Sequence, residues 1–437
     1  MLRTIRIALL LGLLTAGFIG IGVHAATSTI EVLHADGTVN PVLASYIDRG
    51  IDQAEEEDAV AVVIQMDTPG GLDDSMRDII QRIVSAEVPV VVYVSPSGAR
   101  AASAGTFITM AGHVAAMAPT TSIGAASPVA IGSEGEEVEM SETMEAKVVN
   151  DAVTLIKGLA ATHGRNVEWA EQAVREGIAA TEQEALELNV IDIVATDLDD
   201  LVLQLDGRQV TMHDGEVITL HTEGAMPNNI EMSTVEDLLY TVSNPSIAFI
   251  LVSLGMLGVF IELSNPGLIV PGVVGGICLI LGFYSLGMLP INYAGLALLG
   301  IGFGLFAAEI FTPGFGIFTA GGVACLVIGS IILSAGGPAY MQISTPVIVG
   351  VAVSASAVSA FIISRVVRAH RRQAATGKEE LIGKTALVKV ALEPEGTVFF
   401  KGERWTAVSE EGRVKPGEEV TITKVDGLKL WVTKKNK

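Results

Sequence analysis

The sequence predicts a three-part membrane protein: an exported α/β domain, a helical membrane block and a small all-β domain. Charge layout is the first observation behind that prediction. From Ala26 to Tyr240 there are 37 Asp and Glu against 9 Lys and Arg; from Asn244 to Ser364 there is no Lys or Arg, and Glu262 and Glu309 are the only acids. From Arg365 to Lys437 there are 16 basic and 10 acidic residues. Hydropathy is the second: a mean of +0.51 with 17% charged residues over 437 residues excludes a disordered chain and points away from a wholly soluble one. Third, the apolar pattern changes period from block to block. The net charge of −22 argues against nucleic acid as the main partner. Two cysteines, Cys278 and Cys325, both in apolar runs, are too few for a disulfide framework.

Arg3 and Arg6 precede an apolar run, Ile7 to Val23, that ends at Val23-His24-Ala25. This reads as a signal peptide over residues 1–25, cleaved after Ala25 or Ala26, with an uncleaved anchor helix as the alternative. Either version exports the domain spanning 26–240. There Ala59–Met66 reads as a buried strand, Asp73–Ser85 as a helix and Val88–Val94 as a second strand. A helix pattern follows at Phe107–Met110, a short strand at Val114–Ala118 and a helix at Thr143–His163. Ser133–Glu142, acidic and poor in apolar residues, reads as a flap or linker.

Residues 244–364 hold five candidate spans: Ser246–Leu263, Leu268–Leu289, Ile291–Phe311, Phe315–Ser334 and Thr345–Ser364. Arg365, Arg368, Arg371 and Arg372 follow the last, marking its cytoplasmic end and leaving the 26–240 domain extracytoplasmic. Glu262, Pro266, Gly267, Gly275 and Cys278 recur 47 residues later as Glu309, Pro313, Gly314, Gly322 and Cys325, an internal repeat. The two acids could line an ion path. With no basic partner inside the spans, hydrated interfacial carboxylates beside the hairpin tips are the preferred reading.

Two features of the exported domain carry chemistry. Ser103, between Ala102 and Ala104-Gly105, stands at a loop-to-helix junction, where free amides and the helix dipole favour negative charge. Pro69-Gly70-Gly71 follows a strand directly, and its amides could face an oxyanion. Tight packing is the alternative for each. His34, His113, His163, His213 and His221 are scattered without a supporting motif and read as solvated or packed. The domain has only two lysines, Lys147 and Lys157. A lysine can serve as general base where an apolar pocket desolvates it.

Asp67-Thr68-Pro69-Gly70-Gly71, Ala101-Ala102-Ser103-Ala104-Gly105-Thr106, the segment 117–126 (MAPTTSIGAA) and Lys147-Val148-Val149-Asn150-Asp151 together resemble the NfeD family. These are membrane-bound serine proteases of the Clp-protease/crotonase superfamily, related to signal peptide peptidase A. The resemblance covers essentially the whole chain. It implies Ser103 as nucleophile, Lys147 as base, and an oxyanion site from Gly70 or Gly71 with Ala104. It also implies apolar peptide segments as substrate, a stomatin- or flotillin-like membrane partner, contact with membrane lipid, and a dimer or larger ring. Neither cofactor nor metal is implied.

The tail, residues 380–437, shows five short strands: Thr385–Val390, Thr397–Phe400, Trp405–Ser409, Glu419–Thr423 and Lys429–Val432. Gly396, Gly402, Gly417 and Asp426-Gly427 punctuate them, which suits an OB-fold-like barrel. Phe399, Phe400, Trp405 and Trp431 could stack on bases, but alternation assigns them to the core. The 12 basic and 10 acidic residues from Lys378 onward are too balanced for a phosphate footprint, so a protein-interaction module is preferred. For the whole chain, the leading reading is a membrane-bound Ser-Lys endopeptidase. The alternative is a non-enzymatic scaffold organising stomatin-like proteins; a transporter is disfavoured by the scarcity of polar residues in the spans.

Overall fold

The computed structural model describes residues 29–128, 142–264, 267–289, 291–312, 316–335, 341–370 and 381–435. The signal segment and all but the last residue of the acidic flap lie outside the described residues. The chain divides into two compact units, one running up to Phe303 together with Ala324–Ala352, the other Gly304–Val323 with Val353 onward.

The N-terminal region begins β1 (Thr29–Asp36), α1 (Pro41–Glu56), β2 (Ala61–Asp67), α2 (Asp73–Val84), β3 (Val90–Val94), β4 (Arg100–Ala102), α3 (Ala104–Ala111), β5 (Val114–Met117) and β6 (Ser122–Gly124). It continues α4 (Glu142–Thr162), α5 (Val167–Arg175), β7 (Ala179–Thr181), α6 (Glu182–Glu187), β8 (Ile193–Val194) and α7 (Leu198–Leu205). Last come β9 (Gln209–Thr211), β10 (Val217–Thr219), β11 (Met226–Asn229) and α8 (Thr234–Val242). Six strands form one all-parallel sheet in the order β11-β1-β2-β3-β5-β8.

Parallel strands are covered on both faces, which is why β2 and β3 read as unbroken apolar runs. Val62, Ile64, Val90 and Val92 join the core under α1 to α5, whereas Val63, Val91 and Tyr93 join the opposite layer with Leu201 and Leu205 of α7. Strands β4, β6 and β7 form a second, smaller sheet. The terminal helix α8 is fastened to the domain: Arg49 Nε and Nη2 donate to the Glu236 carboxylate at 2.9 and 2.7 Å. That bidentate pair, with the Ser233 cap, holds Glu236 down to about 2.

Five apolar helices follow: α9 (Pro245–Ser264), α10 (Val270–Gly287), α11 (Tyr293–Phe311), α12 (Ile317–Ser334) and α13 (Thr345–His370). Among the described residues, three stretches are long and apolar enough to cross a membrane: Pro245–Leu263, Val270–Gly287 and Ile317–Ser334. Tyr293–Glu309 and Thr345–Phe361 are shorter apolar helices. The 47-residue repeat is a repeat of packing. A Cβ on Gly282 would lie 3.1 Å from Val252 N, and one on Gly329 the same distance from Leu299 N. Each pair is displaced by 47, so small residues bring two helix backbones together in the same register twice.

Glu309 departs from the hydrated carboxylate expected from sequence. It is 5% exposed and accepts the amides of Gly316 and Thr319, both at 2.9 Å, so it caps the start of α12. Glu262 accepts Gly267 N at 3.4 Å in the first repeat.

The tail folds as β12 (Thr385–Val390), β13 (Glu395–Phe400), β14 (Glu403–Ser409), β15 (Glu419–Asp426) and β16 (Lys429–Lys434), a closed barrel in the order β12-β13-β14-β16-β15. Val388, Val398, Ala407, Ile422 and Leu430 fill it. Of the four aromatics assigned to its core by alternation, Phe400 is buried there, Trp405 and Trp431 are half-buried, and Phe399 is exposed under Lys389 Nζ, 5.6 Å from its ring centre. A small barrel filled by aliphatic side chains leaves no room for the other rings.

Candidate functional site

The residue before α3 is Ser103, with φ 52° and ψ −116°, a left-handed conformation that costs an L-residue about 1–3 kcal/mol. Hydrogen bonds on either side impose it. Thr68 N donates to Arg100 O at 2.8 Å, Ala102 N to Thr68 O at 3.1 Å, and Ser103 N to Gly124 O at 3.1 Å. Thr106 Oγ1 accepts Gly124 N–H at 3.1 Å from inside the helix. A Cβ at Gly105 would stand 2.5 Å from Thr68 Cγ2, so only glycine lets the helix approach this loop. The Ser103 hydroxyl does not cap α3, which leaves it and the first-turn amide of Ala104 open.

The Pro-Gly-Gly turn is also resolved by its hydrogen bonds. Val39 N donates to Gly70 O at 3.0 Å and Leu72 N to Val39 O at 2.9 Å, a parallel bridge between Val39 and Gly71. In that pairing Gly71 turns its own N–H and C=O away from Val39. Gly70 is different: its N–H is taken by Thr68 Oγ1 at 3.0 Å. Of the two glycines, then, Gly71 carries the open amide, and any Cβ there would collide with the Val39 backbone.

A cleft of about 840 Å³ collects these parts. Gly71, Leu72, Ser103, Ala104, Lys147 and Val148 line it, and Met76, Phe107, Ala126 and Ala152 give it an apolar floor. Lys147 comes from the first half of α4 and is exposed, with no ion pair among the described residues. Lys157, ten residues on, is engaged elsewhere by Glu171 at 2.6 Å. One ion-pair chain ties the lysine's helix to the turn's helix: Arg77 of α2 reaches Asp73 at 2.7 Å and Asp151 of α4 at 2.5 Å.

The far end of α3 holds a cluster that sequence reading did not single out. Arg165, 4% exposed, donates from Nη1 to Met110 O at 2.9 Å and from Nη2 to Gly112 O at 2.8 Å and Asp192 Oδ2 at 2.7 Å. A guanidinium there satisfies the helix's last carbonyls and opposes their negative dipole end. His113, which accepts Val90 N–H at 3.0 Å, and His163 pack beside it, ring centres 5.8 Å apart. Burial first, and Arg165 second, push both imidazoles down to about 4. They are packed histidines, away from the cleft. The only sequence sign of Arg165 is its place after Gly164 at a helix end. Among the described residues, no group of three His, Cys, Asp or Glu is placed to hold a metal ion.

Comparison with known proteins covers the chain in three segments. Residues 29–219 match the NfeD1b N-terminal domain, 246–365 the NfeD integral membrane domain, and 378–434 the NfeD-like C-terminal, partner-binding domain. A curated relative, "Membrane-bound protease PH1510" of Pyrococcus horikoshii, is 36% identical over 421 residues, 94% of this chain and 95% of that one. "Membrane protein NfeD1b" of Bacillus subtilis is 28% identical over 450 residues, 97% of this chain and 98% of that one. Among solved structures, the 1510-N membrane protease specific for a stomatin homolog from Pyrococcus horikoshii is 32% identical, covers 49% of this chain and 98% of that one, and has a TM-score of 0.43.

Proposed function

The chain belongs to the NfeD family, and from that premise we propose that it is a membrane-bound serine endopeptidase with Ser103 as nucleophile and Lys147 as general base. The protease class rests on the identity with the relative named a membrane-bound protease. The observation that carries the residue roles is the shared cleft: Ser103, Lys147, Gly71 and Ala104 line one cavity although they come from three separate stretches of sequence.

Neutral Lys147 takes the Ser103 proton as Oγ attacks the peptide carbonyl. The amides of Gly71 and Ala104 receive the developing oxyanion, and Gly70, whose N–H is already bonded, is left out of that pair. Lysine returns the proton to the leaving amine, and water then hydrolyses the acyl-enzyme. Lys147 is exposed, and an apolar peptide lying on the cleft floor covers it from water. Substrate preference and base activation thus share one cause.

The substrate we propose is an apolar segment of a stomatin- or flotillin-like membrane protein, which the C-terminal barrel, matched as a partner-binding domain, engages. The protease domain is extracytoplasmic and the barrel cytoplasmic. Met288 and Leu289 after α10, and Met341 after α12, line the same cavity as Gly37, Thr38 and Tyr240 of the protease domain. Those two loops therefore sit on the exported side, which supports five crossings ending at Arg365. A dimer or larger ring is the proposed assembly.

The exposure of Lys147 is also what a scaffold that has lost catalysis would display. Cleavage of an apolar fluorogenic peptide by the full chain in lipid nanodiscs separates the two readings. The endopeptidase requires turnover that Ser103→Ala and Lys147→Ala each remove, and turnover by either variant at the parent rate would sink the dyad.

A further inference from the structure

The substrate cleft has a wall that the exported domain does not supply. Met341, from the segment between α12 and α13, lines it, and Met341 is only 5% exposed. The same side chain, together with Leu72, also borders the neighbouring cavity of about 170 Å³ at the root of the membrane helices. Leu72 directly follows Gly71, the residue with the open amide, so both cavities that Met341 lines are also lined by the residue next to that turn.

Its segment is fastened to the membrane block. Ser344 N donates to Ser246 Oγ at 3.0 Å, and Ile343 N to Ser334 Oγ at 3.2 Å. On the other side of the junction, the Tyr240 hydroxyl bonds the carbonyl of Asp36, and Ser285 Oγ donates to Val242 O at 2.6 Å. Hydrogen bonds thus hold both banks of the junction in place, and Met341 lines a cavity otherwise built by the protease domain. Methionine suits such a position, because its unbranched, polarisable chain adapts to varied apolar partners.

We propose that the membrane block forms one wall of the substrate cleft, with Met341 as a specificity-determining residue for an apolar peptide side chain bound beside Leu72. The proposal rests on the serine-protease reading above. It makes the membrane helices part of the substrate site, and it places the entrance of the cleft at the membrane face, where an apolar segment leaving the bilayer meets it.

Two serine-directed probes on the full chain in nanodiscs separate this proposal from its premise. A small alkyl fluorophosphonate reports Ser103 reactivity alone, and a peptidyl phosphonate with leucine side chains also reports the cleft wall. Met341→Glu is expected to slow labelling by the peptidyl probe about tenfold, the scale of losing part of one buried apolar side chain, and to leave the small probe within about twofold. Met341→Leu keeps both rates near the parent. Unchanged peptidyl labelling in Met341→Glu would overturn the proposal while leaving the protease reading intact. Equal slowing of both probes would overturn it as well, by showing that the residue acts through the fold. A parent that reacts with neither probe would remove the premise and the proposal together.

Discussion

The two ends of the candidate site are built differently. On the nucleophile side, α3 is fixed at both ends: a strained, hydrogen-bonded turn at Ser103, and a buried guanidinium on its last carbonyls. On the base side, the first half of α4 is exposed, and Arg77 with Asp151 is the ion pair that ties it across the cleft. The difference teaches where the fold invests its order. In the proposed mechanism the oxyanion amides and the serine are preorganised, as electrostatic catalysis requires, whereas the lysine's surroundings are left for the substrate to complete.

The widest break in that comparison is chemical. Ser103→Ala or Lys147→Ala should each lower peptide turnover at least about 10³-fold, with melting temperature unchanged, as members of one catalytic unit do. Turnover followed with an apolar fluorogenic peptide, beside thermal unfolding, checks this.

Next in size is the clamp. Arg165→Ala leaves the Asp192 carboxylate and the α3 carbonyls without their partner, and it should cost about 3–5 kcal/mol in unfolding free energy, measured by denaturant titration. The same variant should lose serine reactivity below its unfolding midpoint, because α3 carries the serine.

Acidity probes the same end. His113 and His163 sit near 4 in the folded chain against about 6.5 unfolded, so the folded state resists protonation that the unfolded state accepts. Their contribution to stability is present in full above pH 6.5, declines as pH falls from there to about 4, and is gone below. The loss is on the order of 3 kcal/mol for each histidine. Replacing His163 with Leu should flatten the decline in melting temperature over that window, and an unchanged slope would count against the assignment.

The smallest effect sharpens the base side. Asp151→Asn removes the charge that pairs with Arg77 at the surface and should cost no more than about 1 kcal/mol of stability. Peptide turnover should fall more than stability does, by a few-fold, because the pair positions the lysine's helix. A turnover equal to the parent's would mean that α4 needs no such tether.

Much of the fold is legible in the sequence. The apolar runs gave β2, β3 and β5, and all five barrel strands fell within a few residues of their observed ends. Ser103 and Lys147 stand out in sequence for distinct reasons, a small-residue loop before a helix and the rarity of lysine in an acidic domain. What stayed hidden depends on distant parts of the chain. Strands β7 and β8, three and two residues long, are too short to show a period. Arg165 and Asp192 acquire meaning only because the fold places them at the end of α3. Gly70 and Gly71 look equivalent in sequence; the Thr68 hydroxyl and the Val39 bridge make them different. Glu309 resembles a hydrated interfacial acid until the amides of Gly316 and Thr319 are found bonded to it.

The central claim is an assembled, reactive Ser103 whose activation depends on Lys147. The most direct test is intact-mass analysis of the full chain after exposure to a serine-reactive phosphonate, with Ser103→Ala and Lys147→Ala treated alongside. The account predicts one adduct on the parent, none on Ser103→Ala, and labelling of Lys147→Ala slowed at least about a hundredfold. An adduct that survives in Ser103→Ala, or a folded parent that takes none, would contradict it.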